Sequence, residues 1–256
     1  RGLELAATAG RERQRQDFAS SLSNALLWGS TDASASLQTI EGLLATVTRR
    51  LIRSSLLAGV AALRGILGDR PGAEAALDES AAIRAELGAR RDEFRHSYTE
   101  YALDDFEAAL RLTRAEAAML ETMGETGQRS TMVGLEAWIL VLMGDDEAAL
   151  ESAARSRDLG APDDAITQIL WRAAAGVALA RQGNAAEAER VTAEGLEIAA
   201  DTDSLDAGTA WLARAMALSA LGRRPEAVEA ARTARDFYAQ KGFVNAVRRA
   251  EALLAE

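Results

Sequence analysis

One position recurs along this chain at a nearly fixed interval, and that interval limits what the chain can fold into. Gly29, Gly68, Asp104, Gly144, Gly183 and Gly222 follow one another at spacings of 39, 36, 40, 39 and 39 residues. Similar local text surrounds most of them. The run Leu103-Asp-Asp-Phe-Glu-Ala-Ala-Leu matches Met143-Gly-Asp-Asp-Glu-Ala-Ala-Leu forty residues later. Five residues past the recurring position stands Ala73, Ala109, Ala149, Ala188 or Ala227, with Ser34 in the first repeat. Self-similarity at such a period is the mark of stacked supersecondary units rather than of one ball-shaped core.

Trp211 to Ala234 shows what the unit is. Trp211, Ala215, Leu218 and Leu221 fall at i, i+4, i+7 and i+10, one apolar stripe of a helix. Gly222 suits the left-handed residue that ends a helix, and Pro225 suits the first turn of the next. Ala227 and Ala234 lie on one face of the second helix, small enough for its partner to approach closely. The unit is therefore a helix, a tight turn and a helix.

This arrangement resembles the tetratricopeptide repeat, although the usual period of about 34 is shorter and HEAT-type pairs run to about 40–47. The resemblance implies an all-α, right-handed α-solenoid of about six tetratricopeptide-like helix pairs with a C-terminal capping helix. First helices are predicted near 15–28, 50–67, 90–103, 128–143, 163–182 and 205–221. Second helices are predicted near 32–47, 71–87, 105–122, 145–158, 185–200 and 224–240. Asp163 and Ser204 are candidate N-caps. In the last segment Phe243, Val247, Ala250 and Leu254 share one face, as a capping helix requires.

The whole chain, 1–256, reads as one solenoid: residues 1–9 the remnant of a preceding repeat, 10–242 six helix pairs, 243–256 the cap. Gly2 stands 27 residues before Gly29, as Gly195 stands 27 before Gly222, with Gly-Leu-Glu opening both segments. Residues 1–9 are thus expected to pack near Phe18 and Leu22, and the chain to be a piece of a longer array.

Composition bounds the function. The net charge is −10, which does not offer the basic footprint that phosphate backbones need, so direct nucleic-acid binding is not expected. There is no cysteine, hence no disulfide frame, and no apolar run long enough for a membrane span. A cytoplasmic location is expected. Lys241 is the single lysine beside 28 arginines, a bias read as that of a GC-rich coding sequence.

No catalytic constellation is legible. His96 is the only histidine, so neither a nucleophile triad nor a zinc site has the partners it needs. The pairs Asp104-Asp105, Asp145-Asp146 and Asp163-Asp164 stand at helix starts, where negative charge complements the dipole and the free N–H groups. The stretch from Gly124 to Thr131 lacks the lysine and the preceding strand of a phosphate loop. No enzyme activity, cofactor or metal is expected.

A further resemblance rests on longer text. It is carried by Asp163-Asp-Ala-Ile-Thr-Gln-Ile-Leu-Trp171-Arg172, Ala180-Arg-Gln-Gly183, Thr202-Asp203 and Phe237-Tyr-Ala-Gln-Lys241-Gly242, with Ala25-Leu-Leu-Trp-Gly29 and Leu87-Gly88 earlier. Together they resemble the C-terminal repeat region of actinobacterial-type multidomain signalling proteins. In those, a class III nucleotidyl cyclase or DNA-binding domain precedes a STAND-type NTPase, and tetratricopeptide repeats follow. The resemblance spans roughly residues 20–256 and departs at Phe243, where that family usually has Asn. It implies a non-catalytic regulatory arm whose partners include upstream domains of the same polypeptide.

The candidate site is aromatic. Phe94, Tyr98 and Tyr101 form an i, i+4, i+7 stripe, Arg91 precedes them by about one turn, and Trp138 occupies the equivalent of Tyr98 in the next repeat. These five residues are the expected partner-binding set on the concave face, at least partly exposed to a protein or peptide. The competing reading is that the rings pack neighbouring first helices together. An enclosed pocket in place of an open groove would instead favour a receptor for a small molecule or short peptide. A passive assembly scaffold is the remaining possibility.

Overall fold

The computed structural model describes residues 12–90, 93–202 and 204–255. Residues 1–11 and Arg91 lie outside them, so the packing expected of residues 1–9 and the position of the Arg91 side chain are not described. The described residues form thirteen helices and no strand. They are α1 Glu12–Trp28, α2 Ala33–Leu44, α3 Arg50–Ile66, α4 Arg70–Glu86, α5 Glu93–Ala102, α6 Phe106–Thr122 and α7 Gly127–Met143, followed by α8 Asp146–Leu159, α9 Ala165–Arg181, α10 Ala185–Ala199, α11 Ser204–Ala220, α12 Arg224–Lys241 and α13 Val244–Ala255.

Each odd-numbered helix from α1 to α11 packs on the even-numbered helix that follows it, giving six hairpins in sequence order. The turns within hairpins explain the recurring glycine. Gly68, Gly144, Gly183 and Gly222 all have positive φ, the left-handed conformation that closes a helix without a Cβ penalty. Asp104 occupies the same place in the third hairpin and adopts the same conformation, with φ 62°. It is the only non-glycine among the described residues to do so. One residue later an Asp caps the next helix: Asp69 accepts from the Gly72 N–H, Asp105 from Ala108 and Asp145 from Ala148. Asp104-Asp105 is thus a turn residue and a cap, and Asp145-Asp146 a cap and the first residue of its helix. At the third acidic pair the cap is Asp164, accepting from the Thr167 N–H, and not Asp163. A short turn over residues 161–164 delays the start of α9 by one residue.

The first hairpin departs from the pattern. Gly29 is not left-handed, and the connection runs on to the cap Asp32. The expected small residue Ser34 is therefore exposed, and the buried place falls to Ser36, whose hydroxyl donates to the Leu26 carbonyl. In the other five hairpins Ala73, Ala109, Ala149, Ala188 and Ala227 are all fully buried.

Successive first helices also pack on one another: α1 on α3, α3 on α5, α7 on α9 and α9 on α11. Small residues permit it. A Cβ on Gly65 would meet the Thr99 carbonyl oxygen of α5 at 3.1 Å, and one on Gly134 would meet the Leu170 Cβ of α9 at 3.0 Å. Between α5 and α7 the backbones stay largely apart, and α7 packs on α6 instead. Tyr98, Tyr101 and Trp138 occupy that interval.

The two ends of the array meet. Lys241, fully buried at the end of α12, donates from Nζ to the carbonyls of Leu26, Gly29 and Thr31 at 2.8, 2.7 and 2.9 Å. These carbonyls lie at and just past the C-terminus of α1, where backbone acceptors lack helical partners. An ammonium has three donors, and all three are used on them. The chain then continues across the turns of the first three hairpins. Gly242 runs against Asp32 and Leu67, Val244 reaches Gly68, and Asn245 Nδ2 donates to the Ala102 carbonyl at 2.9 Å. Arg249 pairs with Asp104. The segment read as a simple end cap therefore closes the array back onto its beginning.

Candidate ligand cavity

α5 carries its aromatic residues on one face because they fall at helical spacing. Closure of the array brings three more aromatics to them: Trp28 from the end of α1, Tyr238 from α12 and Phe243 from the turn before α13. The rings form a continuous chain. Phe94 stacks on Trp28 with centroids 5.5 Å apart, and Trp28 meets Tyr98 edge-on at 4.6 Å. Tyr98 touches Tyr101 at 5.6 Å, and Phe243 stands nearly perpendicular to both Tyr101 and Tyr238. Such tilted and edge-to-face pairs are the favoured geometries of aromatic quadrupoles. Trp138 joins from α7, its Nε1 donating to the Tyr101 hydroxyl at 3.1 Å.

These seven residues surround a cavity of about 270 Å³. Leu135, Leu170 and Leu205 supply aliphatic wall from α7, α9 and α11. Gln128 and Ile166, both exposed at the starts of α7 and α9, mark where it opens. Thr131 on α7 and Asp206 and Thr209 on α11 complete the lining. Every hairpin except the second contributes to it.

The hydroxyls are unequal. Tyr101 accepts from Trp138, and Tyr238 shares a hydrogen bond with Thr209 Oγ1 at 3.1 Å. The Tyr98 hydroxyl makes no hydrogen bond to a described residue. Burial pushes the Tyr98 phenol well above its ordinary value, and neighbouring Tyr101 and the Asp206 carboxylate push the same way. Burial also raises the Tyr238 phenol, with Tyr101 and Asp206 adding to it. Arg249 opposes both from outside the cavity, where its guanidinium lies 5.2 Å from the Tyr101 ring centroid and 5.7 Å from that of Phe243.

The structure thus brings together four of the five residues singled out by sequence: Phe94, Tyr98, Tyr101 and Trp138. Their expected exposure is corrected. Trp138 is fully buried, Tyr98 and Tyr101 are buried, and only Phe94 is half-buried. The reason is the returning Tyr238–Phe243 segment, which covers the face that a linear array would leave open. Sequence reasoning missed Trp28, Tyr238, Phe243 and Asp206. A lone lysine two residues before an aromatic was the available signal that this segment meets something buried.

No protein-family model matches the chain, and no curated protein matches it. Among the described residues no helix is long and apolar enough to cross a membrane.

Proposed function

We propose that the chain is a tetratricopeptide-like, right-handed solenoid that serves as the ligand-receptor module of a larger cytoplasmic signalling protein. One observation carries this reading: an aromatic-walled cavity whose lining comes from both ends and the middle of the array. An open concave groove would suit a partner protein or peptide. Here the returning C-terminal segment takes up that space and leaves room for a small molecule, whose usual sites are concave, largely apolar and sparsely polar. Resemblance to the repeat arms of multidomain signalling proteins supports a regulatory output through upstream NTPase, cyclase or DNA-binding domains.

The mechanism follows from the lining. A ligand in the cavity touches α5, α7, α9 and α11 together with the Phe243 turn, so it binds the closed array better than an opened one. Such differential affinity is what allows a ligand to shift a conformational equilibrium. The chain's own residues bind and position the ligand and catalyse nothing.

The test is thermal melting of the wild-type chain and of Leu135→Trp, which fills the cavity, against a panel of small organic molecules. Compounds at about a hundred times their Kd add about 2.7 kcal/mol and raise Tm by roughly 5–10 °C in the wild type alone. Equal shifts in a folded Leu135→Trp would place binding elsewhere and end this reading.

A further inference from the structure

Seven of the chain's twelve aromatic residues, including all three tyrosines, line this one cavity. Its polar groups differ in what they have left to offer. Thr209 Oγ1 donates to the Leu205 carbonyl at 3.0 Å, so in its bond with Tyr238 at 3.1 Å the phenol is the donor. Thr131 is held by Thr167 at 2.9 Å, and the Asp206 carboxylate already has a partner of its own. The Tyr101 hydroxyl accepts from Trp138, and its own proton has no acceptor among the described residues. The Tyr98 hydroxyl neither donates to them nor accepts from them.

Tyr98 is only 8 % exposed, yet its hydroxyl is reachable. The hydroxyls of Ser23 and Thr113 also lack a partner, but they are sealed among side chains; that of Tyr98 is not sealed, and Tyr98 lines the cavity. A buried polar group without a partner costs free energy, and a ligand that supplies one recovers it. Burial keeps the Tyr98 phenol protonated. A phenol is a better donor than acceptor, because its lone pair is drawn into the ring. The matching group on a ligand is therefore an acceptor.

The rest of the wall narrows the choice. No arginine or lysine is among the described lining residues, so an anion would be buried without a partner, which is costly. An ammonium or amide N–H would bring further donors to a wall whose free groups are already donors. A carbonyl oxygen is neutral, has two lone pairs and sits on a flat centre that can lie against the rings. The aromatic rings and the three leucines favour an apolar remainder.

We infer that the cavity's ligand is a neutral, largely apolar carbonyl compound, a ketone or an ester, whose oxygen accepts a hydrogen bond from Tyr98. This rests on the receptor reading above, and the experiment separates the two.

Equilibrium dialysis uses two probes of the same shape. One is acetophenone, and the other is α-methylstyrene, in which a CH2 group replaces the carbonyl oxygen. Tyr98→Phe removes a hydroxyl that no described protein group uses. It should weaken acetophenone about three- to tenfold and leave α-methylstyrene unchanged. A second measurement needs no variant. The carbonyl stretch of bound, 13C-labelled acetophenone, read by difference infrared spectroscopy in the wild type, should lie below its value in hexane, as hydrogen bonding requires. Binding of both probes with an unshifted stretch and no selective loss in Tyr98→Phe, abolished by Leu135→Trp, would overturn the carbonyl inference and keep the receptor reading. Binding of neither probe, or binding that a folded Leu135→Trp leaves intact, would overturn both.

Discussion

Trp138 Nε1 donates to the Tyr101 hydroxyl at 3.1 Å, and this bond joins α7 to α5 at the one place where successive first helices of the array keep their backbones apart. Between α1 and α3, α3 and α5, and α7 and α9, a glycine lets the neighbours close in. Here two large side chains hold the gap, and the gap is the cavity. The rings are therefore structural and site-forming at once: they pack α5 against α7 and present a wall to whatever enters.

Replacing Trp138 should accordingly be costly. Trp138→Ala is expected to lower stability by roughly 3–5 kcal/mol, the usual range for emptying a buried aromatic site. Trp138→Phe keeps most of the volume and should cost about 1–3 kcal/mol through the unpaired Tyr101 hydroxyl and the lost packing. Denaturant melts of the two variants check this. Losses within about 0.5 kcal/mol would mean that the ring is exposed.

Lys241 makes the closure testable without touching the cavity wall. Lys241→Met preserves the length of the side chain and removes its three donors. Three carbonyls at the end of α1 then lose the ammonium, and only the Ser36 hydroxyl remains to donate to Leu26. Stability should fall by about 2 kcal/mol or more, since each buried unsatisfied acceptor carries a penalty of about 1–3 kcal/mol. Limited proteolysis should cut after α12 sooner than in the wild type. An unchanged digestion pattern would show that the ends stay together without the lysine.

Gly208 offers a subtler perturbation. A Cβ there would lie 2.7–3.0 Å from three ring carbons of Tyr238, closer than real contacts allow. Gly208→Ala must displace the Tyr238 ring and loosen its hydrogen bond to Thr209. A loss of about 1–3 kcal/mol is expected from overpacking, measured by chemical denaturation. Ligand affinity should fall too, because Tyr238 forms part of the wall.

The tyrosines predict the alkaline behaviour. Tyr98 and Tyr238 hold their protons in the folded state well beyond the ordinary value of 10.0, whereas the unfolded chain releases them there. Above that pH the unfolded state binds fewer protons than the folded one, so stability must fall as pH rises. Below it both states keep their phenol protons and these two residues add no pH dependence. The absorbance change of Tyr98 and Tyr238 on ionisation should therefore come with global unfolding, as one cooperative step, and not as a gradual titration centred on pH 10. A gradual, reversible titration of these two tyrosines in a still-folded chain would contradict their burial.

The helices were legible because the repeat is local. Turn residue, cap and buried alanine lie within a few residues of each other, and each has its own physical reason, so the expected helix limits fall within a few residues of those observed. The departures were local as well, at Ser34 and Asp163, where a connection of different length moves the buried place or the cap. The aromatic stripe of α5 and its partner Trp138 were legible for the same reason: one helix face, and one equivalent position in the next repeat. Closure was not. The bonds from Lys241 to Leu26 span 215 residues, and no periodicity encodes a contact between the first and last units of an array. Without that contact Tyr238 and Phe243 look like the end of the core, and the rings of α5 look as if they face solvent.

A linear array of such hairpins can gain or lose a unit with only local consequences, because each touches its neighbours alone. Tying Lys241 to the end of α1 removes that freedom. One hairpin more or fewer would carry the last helix past the three carbonyls it must reach, and the Asn245 and Arg249 contacts with the third hairpin would be lost with them. The number of repeats is thereby set by geometry. Natural variants of this architecture should change in the lengths of their connections and in the side chains of the cavity, while the count of hairpins between the first turn and the lysine stays the same.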